Sequence, residues 1–412
     1  MIVENKKKAG PMKKRILSLL SAITFVFLLS SCSNDSEIKT ADDWKEKYPD
    51  VYATYQANAD MSETKFGGSV QVDYLEEYPD LKEFYDGYGF SKQYDRARGH
   101  TYALEDILNT KRPKAGASCL SCKSADFIVA LEKGGVDVNS MDFDEFVEKN
   151  PDMSTISCYD CHMNDVPSLQ ITRSHTQKAI EKGEILSNAD LETLACAQCH
   201  VEYYQDPETK EVIMPTKYGL ETDDMLKYYD EKEFKDWEHP QTKAPMLKAQ
   251  HPEFETFHGS VHQQAGLTCI DCHMPEVEGE DGKMVKSHHW TSPLKNKETL
   301  ENTCLSCHAG KTSDELISWV EEVQGEVYDR TNEVSDKLKV FIDELALHIE
   351  KGDLSDEDKA KLQDIHRKAQ FKWDFVFVEN GEGFHNSTSA HKNLDEAEAL
   401  IDEGMEILNK YK

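Results

Sequence analysis

Basic residues are scarce in this 412-residue chain, which has 47 lysines and arginines against 78 aspartates and glutamates. The resulting net charge of −31 argues against binding to nucleic acid or to anionic lipid head groups, because like charges repel. The sequence also lacks a dinucleotide-binding glycine fingerprint, a P-loop and a serine–histidine–aspartate signature. The usual signs of nucleotide binding and of serine hydrolysis are therefore absent.

Long apolar runs are equally scarce, and the mean hydropathy is −0.66. One run, from Ile16 to Leu29, follows the basic residues 13–15 and is too short for a comfortable membrane span. Together with the small residues before Cys32, this pattern predicts a signal peptide over residues 1–32. The final Leu-Ser-Ser-Cys resembles a bacterial lipobox, so we expect Cys32 to become a lipidated N-terminus. The alternative is ordinary cleavage, with no role for Cys32.

This leader predicts export across the inner membrane to the periplasmic side, with a lipid anchor at Cys32 and a polar linker over residues 33–40. From Cys32 onward the chain has 41 basic and 77 acidic residues, a net charge of −36. A protein of that charge would repel an anionic substrate unless its site were locally positive.

Ten of the eleven cysteines fall into five Cys-x-x-Cys pairs, and these decide the class of protein. The pairs are Cys119/Cys122, Cys158/Cys161, Cys196/Cys199, Cys269/Cys272 and Cys304/Cys307. Four pairs are followed at once by a histidine: His162, His200, His273 and His308. Cys-x-x-Cys-His is the attachment signature of c-type haem, in which the histidine is the proximal iron ligand. Zinc does not require a histidine at this fixed offset, and exported disulfide scaffolds are short, so both alternatives are disfavoured.

The first pair departs from this rule, because Lys123 stands where histidine is expected. One interpretation is a degenerate site without haem. The other is that Lys123 binds the iron through a neutral amine, since burial can lower a lysine pKa far enough. The axial ligand sets what a haem iron can do, so the second interpretation predicts a haem with a distinct role.

A count of the available ligands separates two kinds of haem. Electron-transfer haems need two axial ligands, and the sixteen histidines leave twelve after the four proximal ones. The four histidine-bound haems can therefore all have distal histidines. The haem at Lys123 is then left with an open position, as in a catalytic metal site.

The five motifs lie between residues 116 and 310, which predicts a core made largely of porphyrin within a catalytic region over 41–310. After Thr312 the pattern changes to long helices, with a capping box at Thr312 and Glu315 and a break at Gly352. A further, smaller helix is predicted from Leu394 to Tyr411. The expected fold is mainly α, a multihaem cytochrome c fold with long C-terminal helices and little β, in which residues 311–412 form a subunit contact or part of the core.

These motifs resemble those of the ammonia-forming cytochrome c nitrite reductases, over most of the chain from His100 to His385. That family has five haems, the first held by Cys-x-x-Cys-Lys, and a Glu-Tyr pair after the third motif, which corresponds here to Glu202 and Tyr203. Its Lys-x-Gln-His stretch corresponds to Lys248–His251. The family arginine lies twelve residues after the histidine of an Arg-Gly-His stretch, which gives Arg112, with Arg98 as the alternative.

The resemblance implies a six-electron reduction of nitrite to ammonium at the Lys123 haem, with Arg112, Tyr203 and His251 acting on the substrate. It also implies one calcium ion, held by the side chain of Glu202, the backbone of Tyr203 and Lys248, and the amide of Gln250. A hard cation with oxygen ligands suits that set. The implied partners are nitrite, a membrane quinol-oxidising multihaem cytochrome as electron donor, and a second copy of the chain in a homodimer.

Distal ligands follow from the resemblance by position. His288 is expected at the second haem, His100 at the third, His385 at the fourth and His262 at the fifth, with His289 as an alternative to His288. The remaining histidines are expected to be solvated or locally hydrogen-bonded: His175, His239, His258, His348, His366 and His391. Two other functions stay open, an electron relay without substrate chemistry and a reductase of related compounds such as hydroxylamine or sulfite.

Overall fold

Helices make up most of the regular structure in the computed structural model, which describes residues 38–183 and 189–412. The predicted signal peptide, with Cys32, lies outside these residues, as does the linker except for residues 38–40. The predicted fold class, mainly α with long C-terminal helices and little β, is confirmed.

Most helices before the C-terminal region are only one to three turns long. In chain order they are α1 (Ala41–Trp44), α2 (Pro49–Gln56), α3 (Tyr74–Glu77), α4 (Leu81–Phe84), α5 (Ala103–Asn109), α6 (Ala125–Gly134), α7 (Phe143–Lys149), α8 (Cys158–His162), α9 (Ser174–Glu181), α10 (Leu191–Ala197), α11 (Thr222–Glu231), α12 (Glu253–Phe257), α13 (Val261–Gln264), α14 (Cys269–His273), α15 (Leu305–Cys307), α16 (Ser313–Lys351), α17 (Asp356–Phe377) and α18 (Ser387–Leu408). Such short elements between haem motifs agree with the expectation of little continuous secondary structure there.

Tighter and wider helical turns join these elements. The 3₁₀ turns are Ala57–Ala59, Gly89–Ser91, His100–Tyr102, Ala117–Leu120, Val136–Ser140, Pro293–Lys295 and Asn409–Tyr411, and Thr299–Cys304 is a π-helical turn. The π turn leads directly into the fifth haem motif.

Strands occur as three small antiparallel hairpins in the described residues. They are β1 (Tyr204–Gln205) with β2 (Val212–Ile213), β3 (Trp237–Glu238) with β4 (Pro245–Met246), and β5 (Glu276–Glu278) with β6 (Met284–Lys286). The hairpin of β3 and β4 pairs Trp237 with Met246 and leads directly into the predicted Lys-x-Gln-His stretch.

The long C-terminal helices begin and end where the sequence predicts. Thr312 and Glu315 form the reciprocal capping box at the start of α16. Gly352 ends that helix with a φ of +67°, a conformation that glycine adopts without a Cβ clash. Ser355 then caps α17 by accepting a hydrogen bond from the backbone N–H of Asp358.

The prediction for α18 is only partly right, because the helix begins seven residues earlier than Leu394 and matches α17 in length. Asn386 caps it by accepting from the backbone N–H of Ser389. Its first turn is polar and carries no apolar spacing, so the sequence pattern gave no signal for those residues.

An apolar core joins α16, α17 and α18, and it extends to the aromatic residues near α4 and β3. Its fully buried members include Leu338, Phe341, Ile342, Leu345, Leu362, Leu394 and Ala397. Residues 38–412 form one compact unit, so the predicted catalytic region and the predicted helical region pack together. No helix among the described residues has an apolar stretch long enough to cross a membrane.

Candidate active site

The second and fourth haem motifs each fold into a single helical turn. In α8 and α14 a serine or threonine before the first cysteine forms a capping box with the aspartate of Cys-x-Asp-Cys. The pairs are Ser157 with Asp160 and Thr268 with Asp271. Residues three and four apart on a helix share a face, so both thiols and the following histidine are presented together.

The ten cysteines of the five motifs form no disulfides with one another, and those of several different motifs lie close together. Cys199 of the third motif contacts Cys122 of the first, and Cys196 contacts Cys269 of the fourth. Cys161 of the second motif lies 4.0 Å from the backbone oxygen of Ala195, beside the third motif. Burial and the neighbouring Cys304 thiol raise the pKa of Cys272, which places the fifth motif next to the fourth.

Three of the four expected pairs of proximal and distal histidines have rings that face each other. The ring centres of His162 and His288 are 6.2 Å apart, those of His100 and His200 are 5.8 Å apart, and those of His273 and His385 are 6.2 Å apart. Metal–nitrogen bonds are about 2 Å long, so two imidazoles on one metal place their ring centres roughly 6 Å apart. The spacing therefore fits one iron between each pair.

The expected distal ligand of the fifth haem, His262, is located by its electrostatic neighbours rather than by a facing ring. His308 lies close enough to His262 to lower its pKa together with burial, which places the expected ligands of the fifth haem near each other. His288, rather than its neighbour His289, is the ring that faces His162. The pKa of His289 is lowered by burial and raised in part by Asp60 instead.

The Nδ1 atoms of four of these histidines have defined partners. Three lie near backbone carbonyls: His162 at 3.1 Å from Ser168, His273 at 3.2 Å from Thr291, and His288 at 3.0 Å from Lys286. His385 instead contacts the carboxylate of Glu379. A carbonyl or carboxylate oxygen only accepts, so Nδ1 is the donor and Nε2 is left to bind a metal.

Residues expected to act on the substrate surround the first motif. Lys123 is near enough to His251 to help lower its pKa to about 4, although burial is the main cause. Burial and the thiols of Cys122 and Cys119 raise the pKa of Tyr203, while Arg112 lowers it. The structure therefore brings Arg112, Tyr203 and His251 to the thiols and to Lys123.

Arg112 and its alternative Arg98 differ in their surroundings. The guanidinium of Arg112 lies 4.2 Å above the ring of Phe90, and its Nε is 3.3 Å from the hydroxyl of Thr110. Arg98 is ion-paired with Glu105 and Asp106. Arg112 is thus the arginine that faces Tyr203, whereas Arg98 is already neutralised by carboxylates.

His251 has an unmet hydrogen-bonding group in this site. Its Nδ1 is buried and has no hydrogen-bond partner, and it lies 4.0 Å from the Glu253 carboxylate. A buried nitrogen without a partner costs free energy, so its position favours a role toward a ligand.

The expected calcium ligands also come together. Glu202 is fully buried, and its carboxylate accepts from the backbone N–H of Gln250 at 2.6 Å and from the hydroxyl of Tyr229 at 2.9 Å. The side-chain amide of Gln250 donates to the backbone oxygen of Lys248 at 3.2 Å. Burial raises the pKa of Glu202 to about 8 and that of nearby Asp236 to about 7. A buried carboxylate that resists ionisation fits a place where a cation supplies the missing charge.

No group of three or more histidine, cysteine, aspartate or glutamate side chains at metal-binding distance occurs in the described part of the chain. The expected calcium set has only one carboxylate and otherwise uses carbonyl and amide oxygens. The donor chemistry of Glu202, Lys248 and Gln250 therefore fits a hard cation such as calcium.

Comparison with known proteins agrees with these motifs. A family model described as cytochrome c552 matches residues 40–411. The chain belongs to the cytochrome c552 family. Its relatives include the "Cytochrome c nitrite reductase subunit NrfA" of Nitratidesulfovibrio vulgaris, 33% identical over 408 residues that cover 88% of this chain and 77% of the relative. "Cytochrome c-552" of Parabacteroides distasonis is 35% identical, covering 84% of this chain and 71% of that protein.

A solved structure of the cytochrome c nitrite reductase of Desulfovibrio desulfuricans has the same fold. It matches this cytochrome with a TM-score of 0.82 and 30% identity, over 90% of this chain and 86% of that one. That work describes two calcium sites in the catalytic subunit. The resemblance drawn from the motifs is confirmed, and this member of the cytochrome c552 family is an oxidoreductase of the nitrite reductase type.

Two carboxylates of this cytochrome that the sequence did not single out hold the site in place. Asp374, on α17, accepts from the Lys248 ammonium at 3.0 Å and from the Ala249 backbone N–H at 3.0 Å. Glu253 lies 3.6 Å from the ring of His200 and accepts from the side chain of Asn380 at 2.6 Å. The contacts of Asp374 with residues 248 and 249, and that of Glu253 with Asn380, join segments more than a hundred residues apart, which no local sequence pattern indicates.

Glu379 is a third carboxylate that the sequence did not single out and that contacts a residue of the site. Burial alone would lower the pKa of His385, but the contacting Glu379 carboxylate outweighs it and raises that pKa to about 9. Of the six histidines without an expected ligand role, His175, His239, His348 and His366 are buried and locally hydrogen-bonded, and His258 is exposed.

Proposed function

We propose that this cytochrome reduces nitrite to ammonium in a six-electron reaction, at a haem attached through Cys119 and Cys122 with Lys123 as proximal ligand. The observation that carries the proposal is the surroundings of Lys123. The one haem motif that ends in lysine is also the one beside Arg112, Tyr203 and His251.

Five covalently bound haems, one for each motif, would supply single-electron transfer and an iron with an open position. The four motifs that end in histidine would hold relay haems, with His288, His100, His385 and His262 as distal ligands of the second to fifth. The facing rings described above support these pairs.

Binding of the anion depends on the polypeptide side chains. Arg112 donates charge-assisted hydrogen bonds to the oxygens of nitrite, and the buried, unpartnered Nδ1 of His251 is placed to add another polar contact. A cationic pocket of this kind offsets the net charge of the exported chain, because a local field at a buried site outweighs distant surface charges.

Proton delivery is assigned to His251 and Tyr203. Reduction of nitrite releases both oxygens as water, so each oxygen must receive protons as it leaves. Burial lowers the pKa of His251, so its proton is readily given to a developing oxyanion when the ring is charged. Tyr203, whose pKa is raised by burial, donates a hydrogen bond in its neutral form.

A calcium ion would be held by the side chain of Glu202, the amide of Gln250 and the backbone of Tyr203 and Lys248, and it would fix the two segments that carry Tyr203 and His251. The link between the Glu202 carboxylate and the Gln250 backbone supports this, since it already joins the two segments. The ion would hold Tyr203 and His251 in position and would take no part in electron transfer.

Four further features complete the proposal. The chain is exported to the periplasmic side and anchored through a lipid on Cys32. It receives electrons from a membrane quinol-oxidising multihaem cytochrome and forms a homodimer through its C-terminal helices. The exposed apolar residues Trp319, Val340 and Leu347 on α16 support the last of these.

The deciding experiment measures ammonium made from nitrite by the purified holoprotein with a reduced viologen dye. We expect six viologen cations to be oxidised for each ammonium formed. Oxidation of the dye without ammonium, or no reaction with nitrite although all haems can be reduced, would contradict the proposal. The second result would favour an electron relay.

A further inference from the structure

The distal histidine expected at the fourth haem site has a carboxylate partner. The Nδ1 atoms of His162, His273 and His288 all contact neutral backbone carbonyls. That of His385 contacts the carboxylate of Glu379, which is only 2% exposed. A buried carboxylate is a much stronger hydrogen-bond acceptor than a carbonyl, because it carries a full charge away from water.

The loop after α17 is built to aim this carboxylate. Glu379 accepts from the backbone N–H of Gly381 at 2.8 Å and from that of Gly383 at 3.1 Å, so both of its oxygens are fixed. Gly383 has a φ of +80°, and a Cβ there would lie 2.7 Å from the side chain of Val327. Only glycine fits this turn, which brings His385 back onto the carboxylate.

The neighbouring residue secures the loop to the rest of the site. The side chain of Asn380 donates to Glu253 at 2.6 Å and its backbone N–H donates to the same oxygen at 3.2 Å. One oxygen of the Glu253 carboxylate therefore accepts both hydrogen bonds from Asn380, and the other oxygen lies 3.6 Å from the ring of His200. Glu379 remains the carboxylate in contact with the ring of His385.

We propose that Glu379 tunes the haem held by Cys269, Cys272 and His273 and lowers its reduction potential. The inference rests on the proposed function, because it takes His385 as the distal ligand. A carboxylate on Nδ1 increases the electron donation of the imidazole and places a negative charge near the iron. Both effects stabilise the ferric state and lower the reduction potential.

The fourth haem motif lies between the third and the fifth, so a change in the reduction potential of its haem would affect electron transfer between them. The fourth motif contacts the third through Cys196 and Cys269, and it lies next to the fifth through Cys272 and Cys304. An electron on a strongly reducing haem between two others is passed on rather than retained.

The test replaces Glu379 by glutamine in the full holoprotein. Glutamine has the shape of glutamate, and its single oxygen can still accept from Gly381 and His385, while its NH2 group replaces the oxygen that accepts from Gly383. The substitution therefore removes the charge together with one backbone hydrogen bond. We expect potentiometric titration to show one haem with a raised midpoint potential and the others unchanged, at the same haem content. A uniform shift of all haems, or no shift, would overturn the proposal.

Glu382→Gln is the matched control, since Glu382 lies in the same loop but lines the cavity beside Tyr74. It should leave the potential of the fourth haem unchanged, and a shift equal to that of Glu379→Gln would also overturn the proposal.

A measurement on the unmodified ferric protein covers the case in which Glu379→Gln does not fold. Its near-infrared magnetic circular dichroism should show one haem with a ligand-to-iron charge-transfer band at higher energy than the other histidine-bound haems, and identical bands would contradict the inference.

Failure of the proposed function can be told apart from failure of this inference. A haem without two histidine ligands at the fourth site of the unmodified protein would show that His385 is not its ligand. A normal set of haems with no ammonium production, together with the expected shift in Glu379→Gln, would leave the tuning intact and refute only the activity.

Discussion

At the residue scale, the proposed function depends on lysine at position 123, which would separate the reactive iron from the relay irons. Replacing Lys123 by histidine restores the usual motif, so haem should still attach. Turnover with nitrite should fall by more than about tenfold, or about 1.4 kcal/mol in transition-state free energy, because the axial ligand controls reactivity. Haem content and nitrite-dependent dye oxidation are measured on the same preparation, and unchanged turnover would show that lysine ligation is not catalytic.

His251 and Gln250 are adjacent in the chain but are predicted to act in different ways. His251→Asn removes a proton donor and should lower turnover by roughly 10²–10⁴-fold, as for other general acids, at unchanged haem content. Gln250→Ala should weaken calcium binding and loosen the loop. Its defect should therefore be reversed by added calcium, because excess ligand refills a weakened site.

Calcium rescue is thus the measurement that separates these two neighbours. Turnover of both variants is followed as free calcium is raised, with unmodified protein as the reference. Rescue of His251→Asn would assign His251 to the ion. A Gln250→Ala enzyme that rebinds calcium without recovering activity would remove the ion from the positioning of the loop.

At the scale of elements, α17 fixes the segment that leads to His251, the proposed catalytic histidine. Asp374 is fully buried and accepts from both the Lys248 ammonium and the Ala249 backbone N–H. Asp374→Asn leaves a buried ammonium without its countercharge, so the free energy of unfolding should fall by about 3–5 kcal/mol. Lys392→Gln breaks an exposed ion pair with Glu221 and should cost no more than about 1 kcal/mol.

Urea unfolding of the two variants and the unmodified protein checks this difference. Asp374→Asn should also need more calcium for full activity, since Lys248 supplies a backbone oxygen to the proposed ion site. Equal stabilities for the two variants would mean that the pair with Asp374 contributes no more than a surface contact.

Elements with strong local signals were predictable, and those set by distant contacts were not. The capping box at Thr312, the stop at Gly352 and the haem motifs all depend on residues a few positions apart, and the structure has them where expected. The polar start of α18 carries no apolar periodicity, so it was missed. Asp374, Glu253 and Glu379 act across the fold, and their roles follow only from which segments pack together.

The sequence motifs predicted the residues of the candidate site more completely than hydrophobic periodicity predicted the helices. In the second and fourth motifs, Cys-x-x-Cys-His forms a single helical turn, so the mutual placement of the two cysteines and the histidine follows from the local sequence. The family spacing gave Arg112 and left Arg98 as the alternative. The ion pairs of Arg98 with Glu105 and Asp106 distinguish them in the structure.

At the scale of the whole molecule, the cysteines make a prediction that mass spectrometry can check. Each c-type haem adds to two thiols, and the ten motif cysteines form five Cys-x-x-Cys pairs. The mature protein should therefore carry five haem additions and begin at Cys32 with a diacylglyceryl group. Cys32→Ala should lose the lipid and keep all five haems, whereas Cys119→Ala with Cys122→Ala should lose one haem and keep the lipid. Four haems in the unmodified protein would show that the lysine motif is empty, and a free thiol at Cys32 would rule out the anchor.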